Sequence, residues 1–400
     1  MEMAIAAIPA HVPPHLVYDF DFFTTPGLFD FPQGGVAETL HRDAPRIFFT
    51  PRNGGHWVVT RKADIVEMCR DYGTFPVDPQ FNWFRRQKPV RFLPKDYDPP
   101  EHTSARAIFA PVFSPTAVAK MEPSIQKLAA ELIEDIHERR YCEFVSEIAE
   151  LFPVTIFLQL ANAPLDHRAE MVEHSHLFFR AQDPEVSRAA MGRLGTLLGA
   201  LISERREHPG EDLLSRIVAG RLMDRPLTND EILGGAVFTF LAGLDTVTSM
   251  LTFMMRFLAN RPDLYKQLVD DPNRVGRAVE ELIRISSVAL IERGVREDVV
   301  FREVPFRRDD RIVMLLQISG MDDEGIEDPL KVDFDRRISG HLAFGSGAHR
   351  CLGSHLARIE MRVFLEEWIR RIPKFGIADT ENIRVRGGTV WLPERLPLRW

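Results

Sequence analysis

Residues 344–353 read "FGSGAHRCLG". The run holds Cys351, one of three cysteines in 400 residues. Gly345, Gly347 and Gly353 crowd it, and His349 stands two places before it. A helical pattern, "SHLARIEMRVFLEEWIRRIP" (354–373), starts directly after it. Glycines let a backbone turn tightly and approach a flat ligand closely. A sulfur just ahead of a helix start is favoured as the thiolate, because the aligned N–H groups stabilise negative charge. The other cysteines, Cys69 and Cys142, have no such surroundings and read as small buried hydrophobes.

Two chemistries use a thiolate of this kind. A nucleophile needs a general base beside it, and a tight loop is a poor frame for a Cys351–His349 dyad. A haem iron needs one strong axial ligand in an apolar, disc-shaped site. The loop suits that better: Phe344 would pack on the ring and His349 would reach a propionate.

Composition narrows the field. The 45% of hydrophobic residues allows a large core. A net charge of −8 speaks against a whole-surface nucleic-acid binder. Three scattered cysteines give neither a disulfide framework nor a paired zinc motif, and point to a reducing cytoplasm. The start "MEMAIAAIPAHVPPH" lacks a basic n-region and is broken by Pro9, so it is a poor signal peptide. The most apolar long stretch, 231–260, carries Asp245 and Arg256 and reads as a core helix, not a membrane span.

Along the chain, "RIFFTPRNGGHWVVT" (46–60) alternates about an Asn53-Gly54-Gly55 turn and predicts a hairpin. Helical periodicity dominates in 117–140, 147–161 and 185–207; strand-like runs return at 298–316 and 383–392. The expectation is a mainly α chain with minor β and no βαβ alternation, forming a single domain over 1–400. One helix stands out. Thr228 and Glu231 make a capping box, and the pattern runs to Asn260 before Arg261-Pro262. Its 32 residues span roughly 48 Å. Its midpoint is "AGLDTVTS" (242–249). A glycine in a helix interior costs about 1 kcal/mol, and a buried carboxylate costs several more unless paired. Gly243 and Asp245 side by side therefore suggest function.

The pattern Phe344-Gly345-x-Gly347-x-His349-x-Cys351-Leu352-Gly353 resembles the haem-binding signature of cytochrome P450 enzymes, in their soluble bacterial form. The resemblance implies a triangular helical prism with a long central helix and small β-sheets. It implies haem b (iron protoporphyrin IX) with Cys351 as the iron ligand. Glu281 and Arg284 in "EELIR" then form a buried structural bridge, with Arg336 as third member. "AGLDT" implies that Ala242 and Gly243 open the helix beside the haem, that Thr246 donates to bound dioxygen and holds a water, and that Asp245 relays protons. "DPPEHTSAR" (98–106) supplies His102 and Arg106 for the haem propionates, and "ERGVREDV" (292–299) supplies Arg293, with His349 completing the set.

Several stretches, among them "QISGMD" (317–322), are similar to the camphor-hydroxylating branch. The substrate contacts depart from it. Val90 stands where that branch has a tyrosine donor, Tyr97 lies too close to the motif to replace it, and Ile291 stands where it has an acid. Losing one buried hydrogen bond costs roughly 1 kcal/mol, so camphor is not the expected substrate. Candidate pocket residues are Phe81, Trp83 and Val90 before the Asp-Pro-Pro-Glu run, and Phe238 and Leu241 on the long helix. Ala289, Ile291, Thr389 and Val390 come from the strand-like segments. This bulky apolar set points to a compact lipophilic molecule, a terpenoid or ionone-like norisoprenoid.

The chain has no Gly-rich dinucleotide loop. The resemblance implies electrons from a 2Fe–2S ferredoxin served by an NAD(P)H-dependent flavin reductase, docking on Arg350, Arg358 and Arg362. The expected enzyme is a cytoplasmic monomer acting with dioxygen on a small apolar substrate, without nucleic acid or membrane. The rival reading, a non-catalytic haem-thiolate sensor or apolar-ligand carrier, leaves Asp245 and Thr246 idle. A peroxide-driven enzyme would lack that pair.

Overall fold

A computed structural model describes residues 5–24, 32–77, 91–180, 183–337, 340–380 and 383–400. They form two compact units built from interleaved segments. One comprises 1–84, 277–351 and 384–394; the other comprises 85–276, 352–383 and 395–400.

The first unit is organised by a four-stranded sheet in the order Ile47–Thr50, His56–Val59, Arg311–Met314, Ile291–Gly294. The first two strands are the expected hairpin, paired Ile47 to Val59 and Thr50 to His56. Its turn holds Asn53, Gly54 and Gly55 at φ of 55°, 85° and 78°, a region glycine and asparagine tolerate best. His56–Val59 then pairs in parallel with Arg311–Met314. Trp57, Val59, Ile312 and Met314 bury their side chains together with Ile65 and Met68 of the helix Lys62–Arg70. The strand-like run 298–316 resolves into a hairpin, Val299–Phe301 with Val304–Phe306, followed by Arg311–Met314. Gly320 ends this run against the helix Val275–Ile285, where a Cβ would lie 2.3 Å from the Arg284 carbonyl oxygen.

The second unit is helical. Its core gathers Phe109, Leu158, Leu194, Leu198, Ile217 and Phe240 from different helices. The central helix, Asn229–Asn260, starts at the Thr228 capping box: Glu231 N–H donates to Thr228 Oγ1 (3.3 Å) and Thr228 N–H to Glu231 Oε2 (2.8 Å). It is the one described helix long and apolar enough to cross a membrane, and most of that apolar stretch is buried inside the protein. The stretch 147–161 departs from a plain α-helix. A π-turn at Val145–Ala149 precedes Leu151–Leu160, and Glu150 N–H reaches back five residues to the Val145 carbonyl. Pro153 has no N–H to give, so it sits in the first turn of the second segment, where none is needed. The helix Arg168–Arg180 also lies between the expected ones. Its residues "RAEMVEHSHLFFR" mix polar and apolar positions without a clean period.

Candidate active site

The cysteine loop is a chain of tight turns. Gly345 and Gly347 take φ of 70° and 69°, left-handed values that side chains resist. Gly345 N–H donates to the Leu342 carbonyl (2.7 Å), and Cys351 N–H returns to the Phe344 carbonyl (2.8 Å). Gly347 has a second reason to be glycine: a Cβ there would stand 2.4 Å from the Cys69 carbonyl oxygen. The backbone of Lys62–Arg70 therefore supports the loop from beneath, a role for Cys69 that its side chain could not announce. Phe344 is buried and its ring lies 5.9 Å from that of His341. His349 is half-buried in the short turn Gly347–His349.

The three cysteines divide as their surroundings predict. Cys69 and Cys142 are buried, and burial pushes both thiols up, in Cys69 against the nearby charge of Arg293. Cys351 is exposed, three residues ahead of the helix Ser354–Arg371. A Cβ on Gly345 would meet no described residue within 4 Å. An exposed sulfur in a tight glycine loop fits a thiolate that would hold a haem iron.

The central helix stays α-helical through its midpoint and presents one more exposed face there. Leu241, Leu244, Asp245 and Val247 are buried, yet Ala242 and Thr246 are half-buried and Gly243 is exposed, with no described neighbour within 4 Å of a Cβ. Asp245 is 3% exposed. Thr246 Oγ1 donates to the Ala242 carbonyl at 2.7 Å. The helix carbonyl four residues back takes the proton, and the hydroxyl oxygen is left with its lone pairs as an acceptor. Two further hydroxyls anchor the same helix: Thr248 donates to the Ala149 carbonyl (2.8 Å), and Thr252 to the Thr248 carbonyl (2.7 Å).

His102 and Arg106 lie on one face of the helix Glu101–Phe109, the histidine buried and the arginine half-buried. Arg293 is buried on the strand Ile291–Gly294. Glu281, Arg284 and Arg336 form a closed network. Arg284 donates to both carboxylate oxygens of Glu281 (2.8 and 2.7 Å), and Arg336 Nε to Oε1 (3.1 Å). The remaining donors of the two arginines take carbonyls of Gly320, Glu327, Asp328, Pro329 and Lys331.

Of the candidate pocket residues, Phe81, Trp83 and Val90 lie outside the described residues. Phe238 is half-buried and stacks on Phe92, with ring centroids 5.5 Å apart. Leu241 is only 2% exposed and packs in the core. Ala289 bridges Val390, and Leu290 N–H donates to the Thr389 carbonyl (2.9 Å). Ala289, Ile291, Thr389 and Val390 are all half-buried. The three arginines proposed to dock a partner differ in state. Arg350 is exposed, and Arg358 donates to the Ser354 carbonyl. Arg362 is paired with Glu122 (2.7 Å) and Glu366 (3.1 Å), so its charge is neutralised locally.

A family profile described as cytochrome P450 matches residues 175–373. The chain is 33% identical to the probable cytochrome P450 127A1 of Sinorhizobium fredii, over 98% of this chain and 97% of that protein. Its structure is similar to the crystal structures of CYP101J2 (TM-score 0.88, 31% identity, 99% of both chains) and cytochrome P450 CYP101C1 (TM-score 0.89, 31% identity, 98% of this chain and 100% of the other). Fold, cysteine loop and relatives agree: the chain belongs to the cytochrome P450 family, the haem b-dependent monooxygenases.

Proposed function

We propose that this enzyme hydroxylates a compact apolar molecule, a terpenoid or ionone-like norisoprenoid and not camphor. It uses dioxygen and electrons from a 2Fe–2S ferredoxin served by an NAD(P)H-dependent flavin reductase. In this reading Cys351 is the iron ligand, Phe344 and Gly345 flank the ring, and His102, Arg106, Arg293 and His349 hold the propionates. Bound haem supplies oxygen activation at its iron. The proposed substrate contacts are Phe238 on the central helix and Ala289, Ile291, Thr389 and Val390 on the strand segments, all half-buried. Phe81, Trp83 and Val90 belong to the same proposed set.

Asp245 and Thr246 carry the choice of an oxygen-activating enzyme over a haem carrier. A carrier has no use for a buried carboxyl and a hydroxyl at the midpoint of a core helix, both of which cost stability. Asp245 is proposed to bring protons in. Thr246, its own proton held by the Ala242 carbonyl, accepts a hydrogen bond from a water and holds that water for proton transfer. The same reading takes 1–400 as one catalytic domain, a cytoplasmic monomer. Donor docking then rests on Arg350 and Arg358 more than on Arg362, whose charge is already paired.

Titration of the purified holoenzyme with camphor and β-ionone, followed in the visible spectrum, tests this reading. A low-spin to high-spin shift with β-ionone alone is expected. A shift with camphor alone would show that Val90 and Ile291 do not set the substrate class.

A further inference from the structure

The opening on the central helix is limited in extent. Phe238, Thr239, Ala242 and Thr246 are half-buried and Gly243 is exposed. At 3.6 residues per turn these positions fall within one arc of about 140°. On the same arc Gly235 below and Ser249 and Met250 above are buried, so the opening closes at both ends. Four of its five residues already have proposed roles. Thr239 does not.

Thr239 Oγ1 donates to the Gly235 carbonyl at 2.7 Å. A hydroxyl has one proton and two lone pairs. With its proton held by the helix, Thr239 presents only an acceptor to the opening. Its neighbours there are the ring of Phe238 and the small apolar Ala242 and Gly243. A half-buried acceptor on an apolar wall costs free energy until a donor meets it.

We propose that Thr239 is a specificity-determining residue that accepts a hydrogen bond from a hydroxyl group of an otherwise apolar substrate. The proposal rests on the monooxygenase reading above and deepens its substrate class. A ketone would bring a second acceptor to Thr239 and gain nothing, so the alcohol is the preferred form. Thr239 and Thr246 are seven residues apart, roughly 10 Å along the axis and nearly on one line. A substrate anchored by its hydroxyl at Thr239 therefore turns its far end toward Gly243 and Thr246, and is oxidised at that end.

Matched alcohol–ketone pairs test the anchor in the holoenzyme: β-ionol with β-ionone, and borneol with camphor. Dissociation constants are measured by optical titration for the wild type, Thr239→Val and Thr239→Ser. The wild type is expected to bind the alcohol of at least one pair about 5–10-fold more tightly than its ketone, the worth of one hydrogen bond. Thr239→Val should abolish that preference while leaving ketone affinity and the ligand-free spectrum unchanged, and Thr239→Ser should keep it. Binding without an alcohol preference, or a preference that survives in Thr239→Val, would overturn the anchor alone. If no member of either pair binds, the apolar-substrate reading falls and takes the anchor with it.

Discussion

Thr246 shows how one hydrogen bond redefines a side chain. The residue type and its place after Asp245 are legible in "AGLDT", but the direction of its proton is not. That direction is set by the Ala242 carbonyl 2.7 Å away, which every interior helix residue offers to a threonine four places on. Replacing Thr246 by Ala removes the acceptor proposed to hold a water. Product formed per NADH consumed should drop by up to about 100-fold, the lower end of what a positioned proton-transfer group contributes, with hydrogen peroxide released instead. Unchanged coupling would remove Thr246 from proton handling. The cysteine loop was legible for a different reason. Left-handed glycines and a close approach leave few residue choices, so its local sequence carries its geometry. Thr239 gave no such signal, because it becomes notable only when its neighbours on the helix are seen to be open.

At the scale of elements, the helix Ser354–Arg371 carries a group that no motif reading singled out. Glu360 is 3% exposed, and its Oε2 meets no hydrogen-bond partner among the described residues. Burial raises its carboxyl to about 8. The native state therefore holds a proton there that the unfolded chain releases above its ordinary value of 4.5. Stability from this group is full below 4.5, falls as pH rises from there, and is lost by about 8. The total is on the order of 5 kcal/mol at most. Glu360→Gln should flatten the dependence of melting temperature on pH over that window and be the more stable protein at its alkaline end. Parallel curves for the two proteins would show that Glu360 does not titrate there. The long helix, its capping box and the first hairpin were all readable from period and turn chemistry. The π-turn at Val145–Ala149 and the helix Arg168–Arg180 were not. One depends on a hydrogen bond shifted by a single residue, and the other is held by packing more than by pattern.

For the whole molecule, chain order conceals how the core is divided. Each unit is assembled from three separated segments, and the chain crosses from one to the other between Cys351 and Leu352. Periodicity is local and cannot show such interleaving. The family relationship, by contrast, was readable across nearly the full length, because the cysteine loop, Glu281-x-x-Arg284 and the helix midpoint recur in a fixed order.

The unequal exposure of the three cysteines makes the protein its own gauge of cofactor loading. Cys69 and Cys142 are buried with thiols held protonated, and Cys351 is exposed. A disulfide exchange reagent attacks thiolates it can reach. The folded apoprotein should therefore release one equivalent of chromophore per chain, the iron-loaded protein none, and the denatured chain three. A partly loaded preparation would give the fraction between them, a count that depends on no substrate, no electron donor and no absorption band of the haem itself. Two fast equivalents from the folded apoprotein would mean that burial at Cys69 or Cys142 is less complete than the fold requires.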